Sequence, residues 1–480
     1  MSTTHTARGR IKKTLRSSIL DGGCHSAMLG FTQSYVTPFA LALKATTAQI
    51  GLLSSIPNMV MALSQLAAPY LARRAGSRKR LILPVVLMHA LMWIPILLVP
   101  FLCQSGAVWW LICFVALGTL FGSISNPAWG SMMADLVPEN TRGRYFSHRT
   151  RVGDLAMLAA SFAAGGILQL TTGKPFLGFS VVFGSAVAFR LASWYFLSRM
   201  YEPPFVVQTT RRVAREHSRK RGPSSHLRRL AAYVSLINFA TCLCGPFFAV
   251  YMLRDLKFDY LTYVGVNATS TIATIIFLSV WGKRADRAGN VRIIKVTSCL
   301  IPLVPLLWLV SKQVYYLLLV QAIAGLAWSG FNLATTNFLY DSSAREARTK
   351  SIAVFNAVNG MAMCLGSLVG GYLAPRLPLL NGSNLLTLFL VSGLLRMAIV
   401  LSPLRRLSEV RRVPRISTRE LLFGKPRLLW IGMRNRVAPV LGPEPMLTAS
   451  PAVVTAVAAA ASWAHSAAAP SRSPPVLDDS

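Results

Sequence analysis

The chain has 480 residues, of which 53% are hydrophobic and only 14% are charged, a charge content far below that of an ordinary soluble domain. This composition excludes a soluble globular protein and indicates a polytopic membrane protein. The formal net charge is +34, which in a soluble protein would suggest nucleic-acid binding, so the placement of the basic residues has to be explained.

Twelve apolar segments follow one another along the chain, and each approaches the length of about 20 residues that a spanning helix needs. They lie near residues 22–43, 48–71, 81–102, 107–134, 152–172, 177–198, 230–252, 258–281, 292–311, 314–340, 351–374 and 384–404. Residues 1–20 are basic and polar, without the apolar core of a cleavable signal peptide. We therefore predict an all-α membrane protein with twelve transmembrane helices, numbered here as spans 1 to 12.

Polar segments divide the chain into five parts. We expect a basic cytoplasmic arm at 1–20, a six-helix bundle at 21–198, a basic cytoplasmic linker at 199–229, a second six-helix bundle at 230–405 and a cytoplasmic tail at 406–480. The tail is first basic and then rich in Ala, Pro and Ser. Its most apolar stretch, PAVVTAVAAAASWA, has 14 residues and is too short for a further span, so low-complexity disorder is expected there.

Basic residues are distributed unevenly between the loops. Of 50 Lys and Arg residues, 42 lie on the side that holds both termini, six lie on the other side, and two, Arg190 and Arg396, lie within spans. The positive-inside rule then predicts that both termini and the linker are cytoplasmic, in a plasma membrane or a bacterial inner membrane. Anionic lipid, attracted by roughly 1 kcal/mol per basic residue, accounts for the charge without nucleic acid.

One stretch of the first half recurs 206 positions later: NPAWGSMMADLVPENTRGR, beginning at Asn126, is matched by NLATTNFLYDSSAREARTK, beginning at Asn332. The same register continues through three further pairs: Ser161 with Ser367, Gly165 with Gly371, and Arg190 with Arg396. Similarity at so long a period is typical of a duplicated transporter whose two halves face each other across a shared site.

Two loops carry a motif of glycines and charges. The loop after span 8, GKRADRAGNVR, begins at Gly282 and contains Asp286, and its counterpart after span 2 is PYLARRAGSRKR, beginning at Pro69. Both loops resemble the signature loop of the major facilitator superfamily. The run at the end of span 4 is similar to the companion motif of that superfamily, on Asp135, Pro138, Glu139, Arg142, Gly143 and Arg144.

This resemblance covers residues from about 20 to 405 and implies two six-helix bundles that rock about a central cavity lined by spans 1, 4, 7 and 10. The loop after span 2 departs from the family pattern, with Pro69 in place of the glycine and Arg73 in place of the acid. The second loop keeps the acid, Asp286, which the resemblance directs toward span 5.

Charges around these loops are candidates for conformational gating. If Arg78 contacts Asp135 and Arg292 contacts Asp341, each pair ties span 3 or span 9 to its neighbour on the cytoplasmic face. The alternative is a set of solvated charges that only fix topology, worth ~0–1 kcal/mol per exposed pair. The gating candidates are Arg78, Asp135, Arg142, Asp286, Arg292, Asp341 and Arg348.

Asn126 and Asn332 lead the candidates for substrate contact. Asn126 precedes Asp135 by nine residues, which at ~1.5 Å per residue is about 13 Å from the cytoplasmic end and close to mid-membrane. Asn332 repeats that position in span 10. Amides at this depth either contact a solute or hydrogen-bond between helices, and the sequence leaves both interpretations open. The other substrate-binding candidates are Gln33, Tyr35, Phe121, Asn238, Trp328 and Phe331.

Arg190 and Arg396 place charge inside the membrane, at a cost of ~2.5–3.5 kcal/mol each on insertion scales. Asp154 is a candidate partner for Arg190, but the repeat partner of Asp154 is Gly360, so Arg396 has no equivalent acid. Snorkelling of the guanidinium toward the cytoplasm and an anion-handling role are the two explanations.

No catalytic or metal-binding motif occurs, and the seven cysteines show no ligand spacing, so we expect no enzyme, cofactor or metal. The prediction is a monomeric secondary transporter that moves a small organic solute by alternating access. The alternatives are a non-transporting sensor or scaffold on the same fold and a multidrug efflux antiporter, although Ser161 and Phe162 replace the Gly-Pro of drug antiporters. For a coupling proton, the remaining candidate acids are Asp21 and Asp154.

Overall fold

The protein is described by a computed structural model, which covers residues 2–103, 105–137, 142–203, 225–342, 348–402, 407 and 409. Within these ranges the chain is helical and has no β-strand, and Leu380 and Ser383 form an isolated bridge. The predicted all-α fold is confirmed. The expected disordered tail and most of the linker lie outside the described residues.

The first six spans form the amino-terminal bundle and the last six form the carboxy-terminal bundle. Spans 1 to 6 are Ser2–Thr32 with Val36–Ala42, Thr47–Arg74, Arg78–Leu91 with Trp93–Leu102, Ala107–Leu136, Arg142–Leu170, and Pro175–Ser198. Spans 7 to 12 are Ser225–Cys244 with Phe247–Val250 and the π-helical turn Tyr251–Asp255, Tyr260–Ala288, Asn290–Leu300 with Leu303–Leu307, Val314–Asp341, Arg348–Leu373 with the 3-10 turn Ala374–Arg376, and Asn384–Leu401.

Ten of the described helical units are long and apolar enough to cross a membrane, and they correspond to spans 3 to 12. Spans 1 and 2 carry polar side chains within their apolar stretches, among them His25, Gln33, Ser55 and Asn58. Polar groups inside a membrane helix are stable when they face another helix or a cavity. The two spans are therefore expected to be partly shielded from lipid by their neighbours.

Spans 3, 7 and 9 are interrupted close to prolines. The breaks fall before Pro95 in span 3, at Gly245 and Pro246 in span 7, and before Pro302 and Pro305 in span 9. Proline lacks the backbone N–H that would complete the helical ladder, so each break frees carbonyl groups for other partners. One of these freed carbonyls binds an arginine in the site described below.

The two bundles contact each other mainly on one side of the molecule. We name this the distal side; it holds the loops at 43–46, 171–174, 256–259, 308–313 and 377–383. One apolar cluster draws residues from both bundles there, including Phe39, Phe179, Phe247 and Phe389. On the opposite side, named the terminal side, Tyr201 N donates to Thr14 Oγ1 at 3.1 Å, and the two apolar clusters each belong to one bundle.

Close helix approaches hold the distal side together. A Cβ atom on Gly371 would lie 2.9 Å from the Cα of Gly51, so span 11 packs backbone to backbone against span 2. One turn away the hydroxyls of Ser54 and Ser367 are 3.1 Å apart, and Tyr263 Oη donates to the carbonyl of Ser34 at 2.8 Å. A methyl group added at Gly371 would therefore collide with the backbone of span 2.

Candidate functional site

A cavity of about 430 Å³ lies between the two bundles. This volume is within the range of small-molecule sites. It is lined by spans 1 and 5 of the amino-terminal bundle and by spans 7, 8, 9, 10 and 12 of the carboxy-terminal bundle. A solute placed here would contact both halves at once, which is the requirement for a site whose access changes when the halves move.

Polar side chains in the cavity wall are already oriented by hydrogen bonds to the backbone. Ser161 Oγ donates to Gly30 O at 3.1 Å, Thr241 Oγ1 donates to Ile237 O at 2.7 Å, and Asn267 Nδ2 donates to Tyr263 O at 2.9 Å. One donor of each side chain is thus engaged, while oxygen lone pairs and the second N–H of the Asn267 amide remain for a solute. The polar lining residues are Gln33, Ser34, Ser161, Thr241, Asn267, Ser270, Thr271, Gln321 and Arg396.

Arg396 is the charged residue of this wall, and its side chain is held inside the bundle. Its Nη1 donates to the carbonyl of Ile301 at 3.2 Å, and its Nη2 lies 3.1 Å from Cys244 Sγ and 3.5 Å from the carbonyl of Thr241. The Ile301 carbonyl is available because the residue four positions later is Pro305, which has no N–H. The guanidinium therefore does not snorkel toward the terminal side.

Arg190, the repeat partner of Arg396, has a different environment. Its Nη1 lies 2.8 Å from His25 Nδ1 and 3.1 Å from Ser193 Oγ, and Ser193 donates to Asp21 Oδ1 at 2.7 Å. Asp21 Oδ2 is also 3.6 Å from Arg149 Nη2. The partner suggested by sequence, Asp154, is replaced by this network because Asp21 on span 1 reaches the buried end of span 6 through Ser193.

The predicted substrate-binding residues fall into different environments. Gln33 and Trp328 line the cavity, whereas Tyr35 and Phe331 are fully buried in apolar clusters. Tyr35 Oη donates to the carbonyl of Ser161, so it contacts a residue of the cavity wall without lining the cavity itself.

Three further candidates lie away from the cavity lining. Asn238 Nδ2 donates to Asn359 Oδ1 at 2.8 Å, which ties span 7 to span 11. Phe121 and Asn126 on span 4 are half-buried and exposed, respectively. Span 4 contributes no residue to the cavity wall, contrary to the implication of the family resemblance, because its glycines pack on span 3, with Gly122 against His89.

Asn332 is exposed and lies just beyond the cavity wall on span 10. Gln321, Ala324 and Trp328 line the cavity, and Asn332 is four residues after Trp328. Residues at this helical spacing share one face. Asn332 therefore follows the cavity face toward the terminal side.

The contacts of the acids that end spans 4 and 10 on the terminal side differ between the two bundles. Arg78 Nη2 lies 2.6 Å from Asp135 Oδ2, the contact considered from the sequence. In the other half, Asp341 Oδ2 accepts from Asn290 Nδ2 at 2.9 Å, and among the described residues no ion pair joins it to Arg292. Arg292 is two positions after Asn290 on the same helix, and a two-residue step points it to a different face.

Two glutamates that sequence reasoning missed bind the starts of spans 3 and 9. Glu202 accepts from Arg78 N at 2.7 Å and from Ser77 Oγ at 2.6 Å, and Glu409 accepts from Val291 N at 2.8 Å. A carboxylate at a helix N-terminus satisfies free N–H groups and complements the helix dipole. The signal in the sequence was an acid shortly after the last span of each half, amid basic residues.

Arg142 and Arg348 begin helices of spans 5 and 11, but their side chains and that of Asp286 lie outside the described part of the structure. Sequence reasoning had also passed over cavity-lining residues that the structure assigns to the site. Examples are Asn267 and Gln321, polar residues within apolar helices, a signal that marks candidate cavity positions.

Comparisons with known proteins identify the family. A family model described as Major Facilitator Superfamily matches residues 22–295 and 230–470. A point mutant of the nucleoside transporter NupG has a TM-score of 0.66 at 11% identity, covering 81% of this chain and 98% of that chain. The D-xylose-proton symporter has a TM-score of 0.62 at 13% identity, with 83% and 98% covered.

A third structure, a bacterial homolog of the human lysosomal transporter Spinster in an inward-facing and unoccupied conformation, has a TM-score of 0.56 at 14% identity, with 82% and 93% covered. None of the curated proteins is significantly similar to the chain in sequence. At these identities the solved structures support the fold, while the family model covers more than half of the chain. The chain therefore belongs to the major facilitator superfamily and is a multi-pass membrane transporter rather than an enzyme.

Proposed function

We propose that this protein carries a small organic solute across the plasma membrane, or across the inner membrane of a bacterium, by alternating access. The observation that carries the proposal is the cavity between the bundles, whose wall includes Gln33 and Ser161 of one half and Asn267 and Gln321 of the other. A site built from both halves is exposed to one side or the other as the halves rock.

The conformation described here is proposed to be the inward-facing one. The bundles are packed together on the distal side and have separate apolar cores on the terminal side. Because 42 of the 50 basic residues belong to segments of the terminal side, the positive-inside rule makes that side cytoplasmic. The basic segments then lie next to the anionic leaflet, where contact with lipid headgroups is expected.

Orientation can be tested by single-cysteine labelling in a cysteine-free background. Gln33→Cys in the cavity and Arg199→Cys on the terminal side should react with a membrane-impermeant maleimide faster in inside-out vesicles than in right-side-out vesicles. Lys312→Cys, in an exposed distal loop, is the matched control and should show the opposite preference. Faster labelling of Arg199→Cys from outside intact cells would refute the orientation.

Alternating access can be tested by locking the distal side. The Ser54 and Ser367 hydroxyls are 3.1 Å apart across the two bundles, so Ser54→Cys with Ser367→Cys should form a disulfide in this conformation. Oxidation should stop solute flux in proteoliposomes, and reduction should restore it, while Ser54→Cys alone should be insensitive to oxidant. Flux that continues in the cross-linked protein would contradict alternating access, and binding without flux would indicate a sensor.

A further inference from the structure

We infer that the solute carries an anionic group, a carboxylate or a phosphate, and that Arg396 binds this group inside the cavity. The inference rests on the proposed transport function and assigns its substrate class. It depends on three observations: the burial of Arg396, the lack of a compensating acid, and its position in the cavity wall.

Arg396 is 2% exposed, so its charge is withdrawn from water. Its contacts, the Ile301 and Thr241 carbonyls and Cys244 Sγ, are formally uncharged, and its Nε atom is buried with no hydrogen-bond partner among the described residues. A buried charge is stable when it is paired and hydrogen-bonded. The guanidinium therefore has both an unbalanced charge and an unused donor.

The sequence of the carboxy-terminal bundle offers no acid to balance this charge. Residues 225–254, 260–285, 290–340 and 348–402 contain neither Asp nor Glu. The acids of this half flank those segments, so they lie near the ends of the spans, away from Arg396 in mid-helix. Since these segments of the carboxy-terminal bundle hold no acid beside Arg396, the negative charge that balances its guanidinium comes from the solute.

Arg190, at the same repeat position in the other half, is joined to an acid. There Ser193 bridges the guanidinium to Asp21, and His25 occupies a further donor. Both arginines derive from one repeat position, yet only Arg396 lines the cavity. The unpaired arginine is thus the one that a solute can reach.

The cavity around Arg396 fits a polar solute with one anionic end. Arg396 shares the wall with Thr241, Gly245 and Phe248 of span 7. A planar guanidinium binds carboxylates and phosphates through paired N–H donors. The amide groups of Asn267 and Gln321 and the hydroxyl groups of their neighbours would hydrogen-bond the body of the solute, whereas a cationic solute would be repelled.

The test compares matched solutes on the purified full-length protein by thermal unfolding. The carboxylate arm pairs small hydroxycarboxylic acids with their primary amides, and the phosphate arm pairs sugar phosphates with the free sugars. A ligand that binds the native state raises the unfolding temperature. We expect at least one anion to do so while its neutral counterpart does not, and the responding arm identifies the anionic group.

Arg396→Gln should weaken binding of that anion by about 10- to 100-fold, because a hydrogen bond to a charged group is lost. Arg396→Lys keeps the charge without the paired donors and should give an intermediate loss. Arg376→Gln is the matched control: it removes an exposed cation of the same bundle that contacts Tyr372 and leaves the cavity unchanged.

Equal binding of an anion and its neutral counterpart, no response in either arm, or an unchanged affinity in Arg396→Gln would overturn the inference. Flux measurements then separate it from the proposed function. Saturable flux of neutral solutes that is insensitive to Arg396→Gln would leave a transporter without an anion site. Binding of an anion that depends on Arg396 but never yields flux in either direction would contradict the transport function instead.

Discussion

Arg190 and Arg396 occupy the same position in the two halves of a duplicated chain, yet they do different things. Arg190 is 4% exposed and joined through Ser193 to Asp21, within the interior of the amino-terminal bundle. Arg396 is equally buried but faces the cavity and contacts formally uncharged groups. Duplication supplied two intramembrane charges, and the surrounding residues made one of them structural and left the other available to a ligand.

The difference comes from neighbours rather than from the arginines themselves. Span 1 brings Asp21 and His25 to Arg190, whereas the corresponding span 7 has no acid within Ser225–Cys244. Span 9 instead offers the carbonyl of Ile301, freed by Pro305, which fixes the Arg396 side chain without neutralising it. Pre-orientation of an uncompensated charge is the arrangement expected of a binding residue.

Removing Asp21, the acid joined to Arg190 through Ser193, should have the largest effect on stability. Asp21→Asn preserves shape but leaves the buried Arg190 without its counter-charge, so the free energy of unfolding should fall by about 3 kcal/mol. Denaturant unfolding in detergent micelles measures it. Asp154→Asn is the control, and it should change stability by less than about 1 kcal/mol because Asp154 takes no part in the network. An unchanged stability in Asp21→Asn would mean that Arg190 is not held by this acid.

The repeat-related glycines of spans 5 and 11 give the second prediction. Gly371→Ala places a methyl group 2.9 Å from the Gly51 Cα, whereas a methyl group on Gly165 would meet Tyr35 Oη at 3.1 Å and Val264 Cγ2 at 3.3 Å. Gly371→Ala should therefore destabilise the closed distal side by about 1–2 kcal/mol, and Gly165→Ala by less.

The destabilisation of the closed distal side by each glycine variant is measured as the rate at which Gln33→Cys is labelled from that side. Gly371→Ala should raise that rate about tenfold, which corresponds to about 1.4 kcal/mol. A larger increase in Gly165→Ala than in Gly371→Ala would contradict the assigned packing.

The charged residues of the terminal-side loops give the smallest predicted difference in stability between the two halves. Asp135, 49% exposed, pairs with the buried Arg78, while Asp341 accepts a hydrogen bond from Asn290. Asp135→Asn should lower the free energy of unfolding by about 1 kcal/mol, and Asp341→Asn by less, since a neutral amide partner loses less. Charge reversal of both residues, Asp135→Arg with Arg78→Asp, should recover part of the loss. Strictly additive effects would show that the pair has no coupling energy.

The fold could be predicted from sequence because several independent features of the sequence indicate the same architecture. Apolar segments of spanning length, the uneven basic residues and the repeat from Asn126 to Asn332 all indicate two six-helix bundles. The break in span 9 has a local sequence signal as well, because Pro302 and Pro305 cannot complete the helical hydrogen bonds there.

The site could be predicted only in part. Helices that are apolar on most faces carry little information on their rotation, so the choice among Asn126, Asn332, Gln33 and Trp328 was not fixed by periodicity. Gln33 and Trp328 line the cavity, whereas Asn126 is exposed on span 4, outside the cavity lining. The partner of Arg190 was missed for a related reason: Asp21 reaches it through Ser193, a contact between spans 1 and 6 that is remote in sequence.

If Arg190 stabilises the fold and Arg396 binds the solute, variants of the two arginines should differ both in stability and in their response to ligand. Unfolding of Arg190→Met and Arg396→Met is followed with and without the anion that stabilises the parent protein. Arg190→Met should lose about 3 kcal/mol of stability and keep the ligand-induced shift, whereas Arg396→Met should keep its stability within about 1 kcal/mol and lose the shift. Equal destabilisation of both variants, with the shift retained in Arg396→Met, would show that the two arginines do not have different roles.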